Sequence, residues 1–120
     1  MIEEYINEWC KEYNVDNNIT ILFEKISDSV LGITYHSYEG SMKKRVSKIY
    51  LNEKLLKTPC SKLNIKATSW HEFCHAEVWI KDGHTDGHGK EWNKRLWRKP
   101  LLCIWDLFFE QICWLFKSKE

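Results

Sequence analysis

The segment Trp70–Trp92, WHEFCHAEVWIKDGHTDGHGKEW, constrains the fold more than any other part of this 120-residue chain. It contains four of the five histidines, two on a helical pattern and two in the glycine-rich loop that follows. His71 and His75 are four residues apart, so a helix places them on one face, one turn apart. The fold must therefore support this helix and turn the loop back over it if the histidines share one ion.

The first part of this segment has the spacing of an HExxH motif. Two metal ligands and a general base then come from one helical turn, with Glu72 beside the ion rather than bound to it. A bound metal lowers the pKa of water from about 16 to about 7, and zinc also polarises a carbonyl group. His71, Glu72 and His75 therefore predict Zn²⁺ as cofactor and hydrolysis of amide bonds, with Glu72 accepting a proton from water.

The third metal ligand has to come from the loop, because a catalytic zinc site has three protein ligands and an open position. His88 lies in GHGKEW, where two glycines allow a sharp turn and a helical pattern begins directly afterwards. His84 follows the helix-stopping glycine closely and remains the alternative ligand. Asp82 and Asp86 could also bind through their carboxylates, but aspartates in loops more often form turns. The sequence therefore favours His71, His75 and His88.

The order of the other patterns predicts an α+β fold. Apolar residues of 2–13 recur at helical spacing and predict an amphipathic helix. Three strands are predicted within 19–27, 29–38 and Arg45–Asn52, with a tight reversal at Ser27–Asp28. Because the third strand carries Arg45 and Lys48, it is expected at the edge of the sheet, where an extended peptide substrate could pair with it.

The second half of the chain is predicted to be helical. The active-site helix should begin near Ser61 or Asn64 and run to about Ile80, with Gly83 as its stop. A helix over 90–99 ends at Pro100. The apolar tail 101–116 is too short and too polar for a membrane span, which predicts a helix buried in the fold or covered by a partner.

Composition limits the cellular and chemical setting. A net charge of +1 and a pI of about 7.6 create no global field for nucleic acid or membrane. Five scattered cysteines without a CxxC pair indicate free thiols, and the N-terminal residues do not resemble a signal peptide, so a cytoplasmic location is expected. One domain over 1–120 is expected, with a core of about 1–99 and a helical tail of about 100–117.

A local basic cluster follows the loop. It could contact the phosphates of DNA or RNA, with tryptophans stacking on bases, although a solvated helix face is the more common role of such a cluster. Its members are Lys90, Lys94, Arg95, Arg98 and Lys99.

The paired motifs HEFCHA and GHGKEW resemble those of the SprT-like (Spartan-type) zinc metallopeptidase domain. The positions that match the family's motifs are His71, Glu72, His75, Ala76, Gly87, His88, Gly89, Glu91 and Trp92. The resemblance covers roughly 1–99 and implies a compact core of an N-terminal helix, a small three-stranded sheet, an HExxH helix and C-terminal helices. It also implies zinc ligation by His71, His75 and His88, catalysis by Glu72, and protein substrates that include DNA-associated proteins.

Two other functions remain open at this stage. Histidines spread over a helix and loop also serve metal-dependent endoribonucleases, and the basic cluster would then hold RNA. In a non-catalytic module, zinc would only staple the loop to the helix, with His84 as a fourth ligand and the apolar tail as the binding surface. Glu91 is a candidate to hydrogen-bond a ligating histidine. Cys74 and His36 are expected to be structural.

Overall fold

A computed structural model describes residues 2–85 and 87–117, with side chains as far as Gln111. The described chain has four α-helices and three β-strands, which confirms the predicted α+β class. A short 3₁₀ helix, Glu53–Lys57, links the sheet to the helical half. The main elements in order are α1 (Ile2–Glu12), β1 (Ile19–Glu24), β2 (Gly32–Glu39), β3 (Lys44–Asn52), α2 (Ser61–Asp82), α3 (Lys90–Leu96) and α4 (Pro100–Lys117).

The sheet has the order β1-β3-β2, so the prediction that Arg45–Asn52 is an edge strand is wrong. β3 lies in the centre, parallel to β1 and antiparallel to β2. Its alternate residues Ser47, Ile49 and Leu51 are buried, whereas Lys48 is exposed. Lys48 therefore lies on the exposed face of a central strand, and Arg45 lies near the start of that strand. Alternation of apolar and polar residues distinguishes the two faces of a sheet, but it does not indicate whether a strand lies at an edge.

The predicted reversal at Ser27–Asp28 does not join paired strands either. β1 and β2 lie on opposite sides of β3, and the hairpin connects β2 to β3. Its turn is closed by a hydrogen bond from the Lys43 amide to the Gly40 carbonyl at 3.1 Å. This arrangement leaves β2 at one edge of the sheet, in contact with α2.

An aromatic cluster joins α1 to α2 beneath the sheet. The Trp9 ring contacts Trp70 and Phe73 at centroid distances of 5.1 and 5.6 Å, and Trp70 stacks on Phe73 at 5.7 Å. The Trp70 indole N–H donates to the Leu96 carbonyl at 2.9 Å, which ties α3 to the same helix. Because nearly all of 64–80 is buried, α2 is the central element of the fold.

The carboxylate of Glu77, on α2, is almost completely buried within a group of cations. Arg98 donates to it through Nη1 at 3.2 Å and Nη2 at 2.5 Å, and Lys81 Nζ lies at 3.2 Å. Arg95 is 3.6 Å from Glu77 and 3.1 Å from Asp82. These contacts engage two members of the predicted basic cluster within the fold.

The rest of that cluster is divided. Lys99 pairs with Glu12 at 3.1 Å and lies near the Tyr13 ring, whereas Lys90 and Lys94 are exposed. Contact of this cluster with DNA or RNA remains a prediction, with the two exposed lysines as its most accessible members.

α4 buries one face of the predicted apolar tail. Leu102, Cys103, Asp106 and Phe109 are buried, and Leu101 and Phe108 are among the exposed apolar side chains. Within the described ranges, neither this helix nor another is both long and apolar enough to cross a bilayer. Of the predicted free thiols, those described are free, and Cys113 lies outside the described side chains.

Glu77→Gln is expected to lower the free energy of unfolding by about 3 kcal/mol, because it leaves the Arg98 charge partly buried without its carboxylate partner. Urea denaturation followed by tryptophan fluorescence measures this change. The matched control is Glu12→Gln, which removes a half-exposed pair with Lys99 and should cost no more than about 1 kcal/mol. Equal losses in the two variants would contradict the central role of Glu77.

Candidate metal centre

Three imidazole rings converge at the surface of α2. The ring centroids of His71, His75 and His88 form a nearly equilateral triangle, with sides of 5.2, 5.1 and 5.1 Å. Their ligand nitrogens lie within 4.8 Å of one another. The structure thus brings together the three histidines that the sequence favoured.

The spacing between two of these rings fits a metal ion. His71 Nε2 and His88 Nε2 are 3.3 Å apart. Two nitrogens bound to one tetrahedral zinc at about 2.0–2.1 Å would be separated by about 3.4 Å. Two facing ring nitrogens also need a proton or a cation between them, since lone pairs repel each other. Both considerations support this group as a candidate metal-binding site.

Local structure explains how the third histidine arrives there. α2 ends at Asp82, where Gly83 has φ 72° and closes the helix by donating to the Trp79 carbonyl. Gly87, also at positive φ, precedes His88, and α3 begins two residues after it. His84 is exposed and belongs to neither metal-binding grouping of the described residues. Asp86 lies outside the described residues.

Trp92 is the platform that holds the rings. Its indole stacks on His75 at 5.0 Å with an interplanar angle of 12°, and the His88 ring lies 4.4 Å away. Its N–H donates to the His71 carbonyl at 3.1 Å. The tryptophan of GHGKEW therefore contacts all three histidines, a role that sequence reasoning had not assigned to it.

Glu72 lies beside the triangle, almost completely buried. Its Oε2 is 3.7 Å from His71 Nε2, and its Oε1 accepts a hydrogen bond of 2.9 Å from the Thr34 hydroxyl on β2. Gly32 packs against the same side chain, because a Cβ there would lie 3.0 Å from Glu72 Cγ. β2 thus fixes the carboxylate from the edge of the sheet.

Burial sets the protonation behaviour of the site. Burial raises the pKa of Glu72, although His71 and the Thr34 hydroxyl oppose the rise. Burial and the two neighbouring imidazoles lower the pKa of His75 to about 3, so its ring stays neutral at physiological pH. A neutral imidazole has the free lone pair that a metal ligand needs.

A carboxylate from α4 contacts the first histidine. Asp106 Oδ2 lies 2.8 Å from His71 Nδ1, and both side chains are buried. Burial disfavours the charged imidazole, but the hydrogen bond with Asp106 and the charge of Glu72 outweigh it and raise the pKa of His71. Asp106 and Glu110 are four residues apart and therefore share one helical stripe, but the sequence does not show what that stripe contacts.

The remaining predictions have simpler outcomes. Cys74 is fully buried, as expected for a structural residue. The His36 ring packs on Trp79 and lies 3.2 Å from the Ser47 hydroxyl, while also bordering the cleft. Glu91 is 3.5 Å from Arg95 Nη1, so its hydrogen bond to a ligating histidine remains a prediction.

The triangle opens into a cleft of about 500 Å³. One wall is β2 with the segment before it, the floor is α2, and the other walls come from the loop and α4. Four acidic residues and neither lysine nor arginine are found among the described residues of this lining. The acids are Asp28, Glu72, Asp106 and Glu110, of which Asp28 is paired with Lys54.

Comparison with known proteins gives one finding. A search of curated proteins found no match. The model of the SprT-like family matches residues 2–99, which include both histidine motifs and leave α4 outside. A match over most of the chain, together with the observed α+β architecture and the histidine group, establishes the relationship. The chain belongs to the SprT-like family.

Proposed function

We propose that this protein is a zinc-dependent endopeptidase in which His71, His75 and His88 hold the ion and Glu72 is the general base. The observation that carries the proposal is the convergence of three imidazoles beside a buried carboxylate, with Glu72 Oε2 3.7 Å from His71 Nε2. The family relationship supports a metallopeptidase-like domain.

The donor set suits zinc. Three imidazole nitrogens with an open side are typical of catalytic zinc, whereas calcium and magnesium prefer oxygen ligands. Bound there, zinc would supply a lowered pKa for water and an electrophile for the scissile carbonyl. The open side faces the cleft, where a substrate has access.

Glu72 would move the proton. Its carboxylate accepts a proton from the attacking water and delivers it to the leaving amine. Burial raises the pKa of Glu72, which makes the carboxylate a stronger proton acceptor for the first of these transfers. Thr34 and Gly32 hold the side chain in one position, which keeps the proton acceptor aligned.

The edge strand β2 is the proposed binding site for the substrate. Four residues of β2 line the cleft, namely Gly32, Ile33, Thr34 and His36. The strand's outer edge does not pair with the rest of the described sheet. An extended peptide could pair with this edge, which would hold the scissile amide straight across the histidines. Because such a substrate would extend on both sides of the scissile amide, this mode of binding suits an endopeptidase, which cleaves within a chain. β2 thereby takes the role that the sequence had suggested for Arg45–Asn52.

The charge of the cleft favours a peptide over RNA. A lining with acidic side chains repels phosphates, which weakens the endoribonuclease alternative. The stapled-module alternative needs a fourth ligand, and His84 is exposed outside the described histidine group. Action on DNA-associated proteins is the part of the proposal that rests on family resemblance.

Glu72→Gln is expected to retain one zinc per chain and to lower the rate of protein hydrolysis by at least about 100-fold, because the amide cannot accept the proton. Cleavage of a quenched-fluorescent casein and metal analysis of the same sample measure both properties. Glu53→Gln, at an exposed site on the 3₁₀ helix, is the control and should cleave at the parental rate. Parental activity in the Glu72 variant would refute the assignment.

His88→Ala should weaken zinc binding strongly, since it removes one of three ligands, whereas His84→Ala should leave the dissociation constant unchanged. Competition with a chromophoric chelator gives both constants. Both residues lie in the same short loop, so this pair controls for general disturbance of the loop. The opposite result would identify His84 as the ligand.

Gly32→Ala is expected to lower turnover about tenfold with zinc affinity retained, because the new Cβ must displace Glu72 by a few tenths of an ångström. Gly40→Ala serves as the comparison. That residue has open space around it in the hairpin turn, but its φ of +78° makes alanine strained. It should lose thermal stability yet keep parental turnover. Unchanged turnover in the Gly32 variant would show that β2 does not constrain the base.

A further inference from the structure

The contact between Asp106 and His71 crosses from α4 to the metal-binding face of α2. The Oδ2–Nδ1 distance of 2.8 Å is that of a strong hydrogen bond, and Asp106 and His71 are 3% and 8% exposed. Asp106 lies beyond residues 2–99, which the family model matches. The contact therefore comes from a part of the chain to which the family match assigns no role.

We infer that Asp106 is a positioning residue for the metal centre, which makes α4 a structural part of the active site. By accepting a hydrogen bond from His71 Nδ1–H, it selects the tautomer whose Nε2 lone pair faces His88 Nε2. It also fixes the rotation of the ring, because a carboxylate behind a ligating histidine sets both properties. Because it places a residue behind a metal ligand, this role depends on the proposed function.

The packing of α4 explains why Asp106 can act in this way. Leu102, Cys103 and Phe109 are buried on the same side of the helix, and the Trp105 indole donates to Asn64 Oδ1 on α2 at 2.7 Å. These contacts hold α4 against α2 on both sides of Asp106. The Asp106 carboxylate is therefore held in place by a helix that packs firmly on α2.

A competing arrangement uses the same residues. His71, Asp106 and Glu110 also have ligand atoms within 4.8 Å of one another, so an ion bound through Nδ1 would make Asp106 a ligand. Two observations favour positioning. His71 Nε2 lies 3.3 Å from His88 Nε2, a separation that suits one ion, while Nδ1 already lies at hydrogen-bond distance from the carboxylate.

The test compares zinc dissociation constants of the metal-free full chain and of variants at Asp106, Leu102, Glu110 and His88, by competition with a chromophoric chelator. Asp106→Ala should weaken zinc binding by about 10- to 100-fold. Asp106→Asn should fall between this variant and the parent, because its amide oxygen can still accept the Nδ1–H. Leu102→Ala and Glu110→Gln are the controls, and both should stay within about threefold of the parent, even though Leu102→Ala lowers the melting temperature through lost packing.

Zinc affinity distinguishes a positioning role from a general effect on folding stability. The Leu102→Ala variant should lose folding stability and keep its affinity for zinc, whereas a variant that lacks a positioning residue should lose affinity. If Asp106→Ala bound zinc as tightly as the parent, the inference would be overturned while the proposed function survived. If Asp106→Ala did not fold, parental affinity in Asp106→Asn would overturn it equally. A large loss of zinc affinity in Glu110→Gln, together with parental affinity in His88→Ala, would show that the ion binds through His71 Nδ1. That result would reject the positioning role of Asp106. A parent chain that bound no zinc would overturn the proposed function as well.

Discussion

The burial of α2 on nearly every side is the constraint on which the rest of the structure depends. A helix in this position has to present polar side chains to the interior if it is to carry a metal site, and each buried polar group needs a partner. Glu72, Glu77 and His71 are all buried on this one helix. The surrounding elements are arranged so that each of these groups meets a hydrogen-bond or ionic partner.

Each neighbour of α2 supplies a different partner. From β2, the Thr34 hydroxyl donates a hydrogen bond to Glu72. Arg98, which follows α3, pairs with Glu77. From α4, Asp106 contacts His71. The layers of the fold are thus tied to α2 by polar contacts as well as by the aromatic cluster. Loss of a partner would leave a buried charge or donor unsatisfied, which is more costly than loss of an exposed contact.

The strand order of the sheet also places a partner beside a buried group of α2. Because β3 is central and β2 is at the edge, the strand that borders the cleft combines an outer edge that is unpaired within the described sheet with a glycine that fits against Glu72. A larger residue at Gly32 would push into Glu72, so the edge strand and this carboxylate are linked by packing. Substrate binding along β2 and proton transfer by Glu72 would therefore take place within one rigid unit.

The sequence by itself determined the α+β class, most element positions and the group of His71, Glu72, His75 and His88. These features follow from local periodicity, helical spacing and the turn chemistry of glycine, which short stretches of sequence encode. Even the end of α2 at Gly83 was readable in this way. The resemblance to the family came from the same short motifs.

Only the tertiary structure decided which strand is central, which face of the tail is buried and which carboxylate stands behind His71. Strand order depends on pairings between distant segments, so the charges of Arg45–Asn52 could not distinguish an edge from an exposed face. Asp106 is 35 residues from His71 in sequence, and their contact depends on how α4 packs on α2. No local pattern records that packing, because burial of one helix against another is a property of the whole fold.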